Sequence, residues 1–328
     1  MNERSRDPVG FADVRAAAER LRDSAVRTPL LRSEDLDRRA GCRVVIKPEG
    51  LQRSGSFKFR GAYNRLVQLD EEQRRAGVVA FSSGNHAQGV AAAARDLGIR
   101  ARIVMPADAP AIKLSNTKAM GAEVIEYDRY QESREAIARN LVERDGGVLV
   151  PSFDDPHIIA GQGTAGLELF EDVQEPVDAF LVCCGGGGLT AGCALAMEAL
   201  SPSTDLYCVE PENYDDHARS LVSGQRERAD TSVPSICDAL LTPSPGELTF
   251  AINRSRLSGG LVVSEEEVRE AMRFAFRVLK IVLEPGGAVS LAALLAGKLP
   301  KAYQSVALLC SGANVDPEFF ASVLCNES

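Results

Sequence analysis

Apolar positions along this chain follow two alternating rhythms. Short continuous runs, "GVVAFSS", "IRARIVMP", "AEVIEYD" and "GVLVP", have strand length. Between them lie stretches with helical spacing: "GNHAQGVAAAARDLG", "AIKLSNTKAMG" and "QESREAIARNLVERDGG", the last with Ile137 and Leu141 four residues apart. Gly98 reads as a helix stop. The rhythm resumes downstream as the strand "VDAFLVCC", the turn "GGGG", the helix "LTAGCALAMEAL" and the strand "TDLYCVEP". Ser264 and Glu267 form a capping box that opens a further helix, and "SVALLCSGAN" reads as a last buried strand. Strands alternating with helices predict βαβ units and parallel sheets. The expected fold is α/β, with two parallel-sheet regions packed together and the site in the cleft between them, where strand ends meet turns and helix N-termini.

The bulk numbers narrow the function classes. The chain has 328 residues, 45% of them hydrophobic, enough for two buried cores. Lys and Arg total 37 against 46 Asp and Glu, a net charge of −9. An acidic balance argues against nucleic-acid or anionic-membrane partners. The charged opening "MNERSRDPVG" has no apolar core of a signal peptide, and no apolar run is long enough to span a bilayer, so a cytoplasmic location is expected. Eight cysteines without a Cys-x-x-Cys pair read as reduced, small hydrophobic residues, Cys208 and Cys310 among them in strands.

Three stretches carry chemistry. "CCGGGGLTAG" sets Gly185, Gly186, Gly187 and Gly188 between a strand and a small-residue helix. A glycine backbone there can aim successive N–H groups at one anion, and the helix dipole adds to the attraction. A merely flexible turn would have no reason to sit at a strand-to-helix junction. "SSGNHAQG" places Ser82, Ser83, Asn85 and His86 at another helix start, suited to a carboxylate or a ring oxygen; taken alone, it would read as ordinary capping. In "SGSFKFRGA", Lys58 stands between Phe57 and Phe59. A lysine between apolar side chains loses hydration, its pKa falls, and the neutral amine can form a Schiff base. A snorkelling lysine is the plainer alternative. A Schiff-base lysine, a phosphate cradle and a polar loop together point to pyridoxal phosphate, since each fits one part of that cofactor.

The segments "SGSFKFRGA", "SSGNHAQGVA", "IAGQGT", "CGGGGLTAG", "VEPENYDD", "GELTF" and "CSGANVD" occur in this order. From about Phe11 to Asp316 the chain closely resembles the serine/threonine dehydratase and serine racemase group of fold-type-II pyridoxal-phosphate enzymes. The resemblance implies a tryptophan-synthase-β-like fold: a large cofactor-binding domain from residues 1–77 and 157–328, and a small α/β domain from residues 78–156. It implies Lys58 as Schiff-base lysine and base for the Cα proton. Gly185 to Gly188 would hold the phosphate, Asn85 the ring oxygen and Ser311 the pyridine nitrogen. Phe57 and Glu284 would lie beside the ring. A hydroxyl at the ring nitrogen makes a weaker electron sink than an aspartate would, which suits elimination. Ser82, Ser83 and His86 would meet the substrate carboxylate, and Ser83 matches the opposite-face acid of racemases.

In "EPENYDD", Glu210, the Tyr214 carbonyl and Asp216 would bind Mg²⁺ or Ca²⁺ through hard oxygens. The implied reaction is loss of water from a β-hydroxy amino acid such as serine, threonine, phenylserine or 3-hydroxyaspartate, giving a 2-oxo acid and ammonia. The alternative is an amino-acid racemase with side dehydratase activity. A β-replacement synthase fits less well, because such enzymes carry a Thr-Ser-Gly-Asn-Thr-Gly-like loop. An intact Lys58 and Ser83 speak against a non-catalytic binder. The group also implies a homodimer. Cys183, Cys184 and Ala239 depart from its usual residues and could reshape the pocket. The chain stops too soon after "CSGANVD" for an isoleucine-sensing regulatory domain. Arg134 is a conceivable clamp for a second substrate carboxylate, although a solvated helix arginine is the simpler reading.

Overall fold

The computed structural model describes residues 8–325 apart from 83, 110, 129 and 130. Nine strands lie among them: β1 (Arg43–Pro48), β2 (Val78–Phe81), β3 (Ala101–Pro106), β4 (Glu123–Tyr127), β5 (Val148–Leu149), β6 (Ala179–Cys183), β7 (Asp205–Pro211), β8 (Gly259–Val263) and β9 (Ser305–Cys310). They form a five-stranded sheet ordered β1-β9-β6-β7-β8 and a four-stranded sheet ordered β4-β3-β2-β5. All the strand pairings are parallel, as the alternating pattern predicts. The expected Ser264–Glu267 capping box is present in both directions, and Gly98 ends its helix at a φ of 65°.

Several elements escape the sequence pattern, each for a physical reason. Lys47 interrupts the apolar run of β1, and β8 opens on two glycines. The helix Pro156–Asp172 contains Gly161, Gly163 and Gly166, residues that ordinarily weaken a helix. Here their absent side chains let two helices touch backbone to backbone. A Cβ on Gly192, in the helix Gly188–Leu200, would lie 2.4 Å from the Ile159 carbonyl oxygen and 2.5 Å from the Gly163 nitrogen.

The two sheets keep separate apolar cores. Phe57 belongs to the core of the five-stranded sheet with Val182, Leu308 and Ala288. Phe59 belongs to the other core with Val78, Ile103 and Val90. Adjacent turns of chain are thus pinned into different cores, and Lys58 emerges at the seam. This corrects the expectation that both phenylalanines enclose the amine. Phe59 packs on Tyr63 at 5.6 Å and beneath the Arg53 guanidinium at 4.7 Å, whereas Phe57 alone lies beside Lys58 Nζ, 5.0 Å from its ring centre.

Gly192→Ala should lower stability by about 1–3 kcal/mol, since the added methyl meets backbone that cannot turn aside. The check is the thermal unfolding midpoint, which should fall clearly below that of the parent chain.

Candidate active site

A cavity of about 540 Å³ opens where strands of both sheets end. Phe81 ends β2 and Ser82 follows it, Pro151 to Asp154 follow β5, Cys183 ends β6 and Gly185 to Gly188 come after it, and Ser311 follows β9. Carboxyl ends of parallel strands are where α/β folds place ligands, because turns and helix N-termini converge there.

Lys58 opens the helix Lys58–Leu66 and lines the cavity. Its Nζ donates to the Ser152 carbonyl at 2.8 Å. Loss of hydration pulls its pKa from the ordinary 10.5 down to about 8. A snorkelling lysine would keep its ammonium in water; this one does not.

The glycine turn is shaped by what its members lack. A Cβ on Gly186 would lie 2.4 Å from the Phe153 ring, and Gly187 adopts a φ of +89°. The carbonyls are tied away from the cavity. Gly186 O accepts from Thr249 Oγ1 at 2.6 Å and Gly246 N at 3.2 Å, while Gly187 O accepts from Asn253 Nδ2 at 3.3 Å. With these two carbonyls engaged by other parts of the chain, the turn's N–H groups at the start of the helix Gly188–Leu200 suit an anion.

Asn85 and Glu284 come together although they are far apart in sequence. Asn85 Nδ2 donates to Glu284 Oε1, and Asn85 Oδ1 accepts from Asn314 Nδ2 at 2.7 Å. Glu284 is fully buried, and burial raises its carboxyl pKa to about 7, with Lys113 pulling the other way. Ser311 is buried beside the Cys183 thiol, and its carbonyl accepts from Phe57 N at 3.1 Å. Cys183 therefore lines the cavity between Lys58 and Ser311, and burial pushes its thiol up to about 12, so it stays protonated. Ala239 also lines the cavity, with its Cβ 3.2 Å from where a Cβ on Gly286 would sit.

Ser82 lines the cavity, its Oγ accepting from Gly84 N at 3.2 Å. Ser83 lies outside the described residues. His86 differs from expectation. Its Nε2 is 3.0 Å from the Val150 carbonyl, which can only accept, so the ring proton resides there. Burial and the nearby Lys58 depress its pKa to about 3. A neutral ring with its one proton committed has none to give a carboxylate. His86 instead anchors the start of the helix Asn85–Leu97 to the end of β5.

The acidic loop stands apart from the cavity. Glu210 is fully buried, with Oε1 accepting from His217 N at 2.9 Å and Oε2 from Ala218 N at 2.7 Å. Asp216 Oδ2 is buried without a partner among the described residues. Burial, the Cys184 thiol and Asp216 raise the Glu210 pKa well above the usual carboxylate range, and burial raises that of Asp216 to about 7. The Tyr214 hydroxyl donates to Val233 O at 3.0 Å. Two buried carboxylates with an unpartnered oxygen fit a hard cation. No group of three or more His, Cys, Asp or Glu side chains suited to a metal occurs among the described residues, so a cation here would also need carbonyl or water oxygens.

One site residue escaped the sequence reading. Lys113, in the helix Ala111–Ala119, is buried and ion-paired with Asp238, which lines the cavity. A single lysine in an unremarkable helical pattern gives no sign of facing a cleft.

Residues 21–312 match the family described as pyridoxal-phosphate dependent enzyme. This chain belongs to that family. An L-threo-3-hydroxyaspartate ammonia-lyase from Pseudomonas sp. is 50% identical over 96% of this chain and 98% of its own. A serine racemase from Schizosaccharomyces pombe is 44% identical, covering 96% and 97%. Among solved structures, the threonine deaminase isoform 2 of Solanum lycopersicum, in its processed form, is 34% identical with a TM-score of 0.88, covering 95% of this chain and 86% of that one.

The residues present fit the cofactor of this pyridoxal-phosphate enzyme. The glycine turn is a cradle that a single Cβ would fill, and Lys58 Nζ shares its cavity. Uptake of pyridoxal phosphate by apoprotein should therefore accelerate with rising pH and level off above about 8, because the neutral amine is the reactive form and the folded-state pKa is lowered to about that value. Absorbance-monitored reconstitution across pH checks this; a rate still climbing toward the pKa of an ordinary lysine would contradict it.

Proposed function

We propose that this chain is an ammonia-lyase that removes water from a β-hydroxy amino acid and yields a 2-oxo acid and ammonia. The observation that carries the reading is Lys58: a dehydrated amine placed between the glycine turn and the start of the Asn85 helix. The names of relatives 50% and 44% identical support it and its alternative respectively.

When bound, pyridoxal phosphate supplies the electron sink that makes the substrate Cα–H acidic. The chain's own residues do the rest. N–H groups of Gly185 to Gly188 would hold the phosphate without adding a charge. Asn85, its amide oriented by Asn314, would address the ring oxygen, and Phe57 would lie beside the ring. Ser311 would offer the ring nitrogen a neutral hydroxyl, which would keep that sink moderate and favour elimination over exchange of the amino group. Ser82, Ser83 and the N–H groups at the Asn85 helix start receive the substrate carboxylate. Lys58, neutral above about pH 8 and partly so below it, takes the Cα proton.

Serine racemization is the second reading, favoured by the Schizosaccharomyces pombe relative. It requires Ser83 to deliver a proton on the face opposite Lys58. Glu210, the Tyr214 carbonyl and Asp216 are proposed to bind Mg²⁺ or Ca²⁺, which would relieve the buried, unpartnered Asp216 Oδ2. The same reading carries a homodimer in the cytoplasm and a division into residues 78–156 and the remainder.

The test is ammonia release from cofactor-loaded protein offered L-serine, L-threonine, phenylserine and 3-hydroxyaspartate, with chiral chromatography of the remaining amino acid. Lys58→Ala should lose activity by about 100-fold or more. Turnover by that variant at the parent rate would refute the assignment, and inverted serine without ammonia would select the racemase. For the cation, added Mg²⁺ should raise the thermal midpoint of the parent chain and leave that of Asp216→Asn unmoved.

A further inference from the structure

Lys113 is an unusual cation for its surroundings. Its side chain is 5% exposed, yet its Nζ lies 3.6 Å from where a Cβ on Gly84 would sit, and Gly84 lines the cavity at the carboxylate-binding turn. An ammonium removed from water needs a counter-charge. Its partner is Asp238, whose side chain is 38% exposed and also lines the cavity. Compare Lys47, equally buried, whose partner Glu168 is 12% exposed and belongs to a closed core network. In the Lys113 pair the cation is fixed on a helix and the anion sits on a single short turn, Asp238–Leu240, with one side open to the cavity. A carboxylate in that position can return to water cheaply; the ammonium cannot.

We propose that Lys113 accepts a second carboxylate of the substrate, and that Asp238 is the internal carboxylate exchanged for it. The proposal rests on the ammonia-lyase reading and names its substrate class: a β-hydroxy amino acid bearing a further carboxylate on Cβ. The first carboxylate occupies the start of the Asn85 helix, and the second lies next to Gly84 on the same side of the cleft. Charge is conserved locally, since one carboxylate replaces another on the same ammonium. Monocarboxylic substrates leave the Lys113–Asp238 pair intact and gain nothing from it.

The two arginines that line the cavity suit this role less. Arg134 is 43% exposed, bonded to Glu135 at 2.9 Å and placed 5.3 Å over the Phe81 ring. Arg226 is 39% exposed and paired with Glu247 at 2.8 Å. Solvated rim charges discriminate weakly; a buried ammonium discriminates strongly.

The test compares cofactor-loaded parent, Lys113→Met and Asp238→Asn proteins. The quantity read is the ratio of kcat/KM for L-threo-3-hydroxyaspartate to that for L-serine. Lys113→Met should lower this ratio by about 10- to 100-fold, mainly through KM of the dicarboxylate. Asp238→Asn should raise it, because the internal competitor is gone. An equal loss on both substrates in Lys113→Met, or a lower ratio in Asp238→Asn, would make the pair a plain latch across the cleft and overturn the proposal. Calorimetric binding of succinate and butyrate supplies a readout free of turnover. The parent should prefer succinate and Lys113→Met should not; a parent without that preference also overturns the proposal. Absence of ammonia from both substrates would instead remove the ammonia-lyase reading, and the calorimetry would still decide Lys113.

Discussion

Everything at the site depends on how firmly one short helix is held. Arg60, two residues beyond Lys58, is completely buried and joins three parts of the chain. Its guanidinium donates to both oxygens of Glu49, at 2.7 and 2.8 Å, and to both oxygens of Glu168, at 2.6 and 2.8 Å. Lys47 Nζ reaches Glu168 Oε2 at 2.7 Å, and Thr28 Oγ1 donates to Glu49 at 2.7 Å. Two cations and two anions cancel where three of the four side chains are fully buried. Removing any one would strand a buried charge at a cost of about 3–5 kcal/mol, so the arrangement tolerates no sliding. β1, the Lys58 helix and the helix Pro156–Asp172 are thereby fixed relative to one another. Lys58, two residues before Arg60, inherits that rigidity.

Rigidity from the ion network and placement from the two phenylalanines are complementary. Phe57 and Phe59 enter different cores, so the chain crosses from one sheet's territory to the other within three residues. A residue at such a crossing faces neither core. It points into the gap between them, which is the cavity. The depressed pKa of Lys58 is then a consequence of topology: the amine sits where two apolar bodies meet and water is scarce.

Much of this was legible in the sequence. The strand–helix alternation predicts parallel sheets, and the glycine run marks a strand-to-helix turn, which lines the cavity. Both are local signals, carried by residues adjacent in the chain. What stayed hidden depends on partners far away in sequence. Gly161, Gly163 and Gly166 look like helix breakers until Gly192 is seen across from them. Lys47 looks like the end of a strand until Glu168 is paired with it. His86 looks like a contact for the substrate carboxylate until the Val150 carbonyl claims its proton. The Lys113–Asp238 pair spans 125 positions and leaves no pattern in either segment. Ser311 and Glu284 were reached through family resemblance, because a lone serine and a lone glutamate carry no spacing to read.

The acidic loop shows how a feature outside the cavity can still belong to the site. Glu210 accepts the first N–H groups of the helix Asp216–Ser223 and so sets the position of His217. The buried His217 ring lies 3.0 Å from Asn253 Nδ2, and Asn253 Nδ2 also reaches Gly187 O. A Cβ on Gly187 would come within 2.9 Å of that same ring. The back of the glycine turn therefore rests on a histidine whose backbone is held by a buried carboxylate. Any change in the charge state of the Glu210–Asp216 pair acts on the hydrogen bonds that seat this helix. One path of contacts from there to the glycine turn runs through two side chains, His217 and Asn253, both fully enclosed by protein.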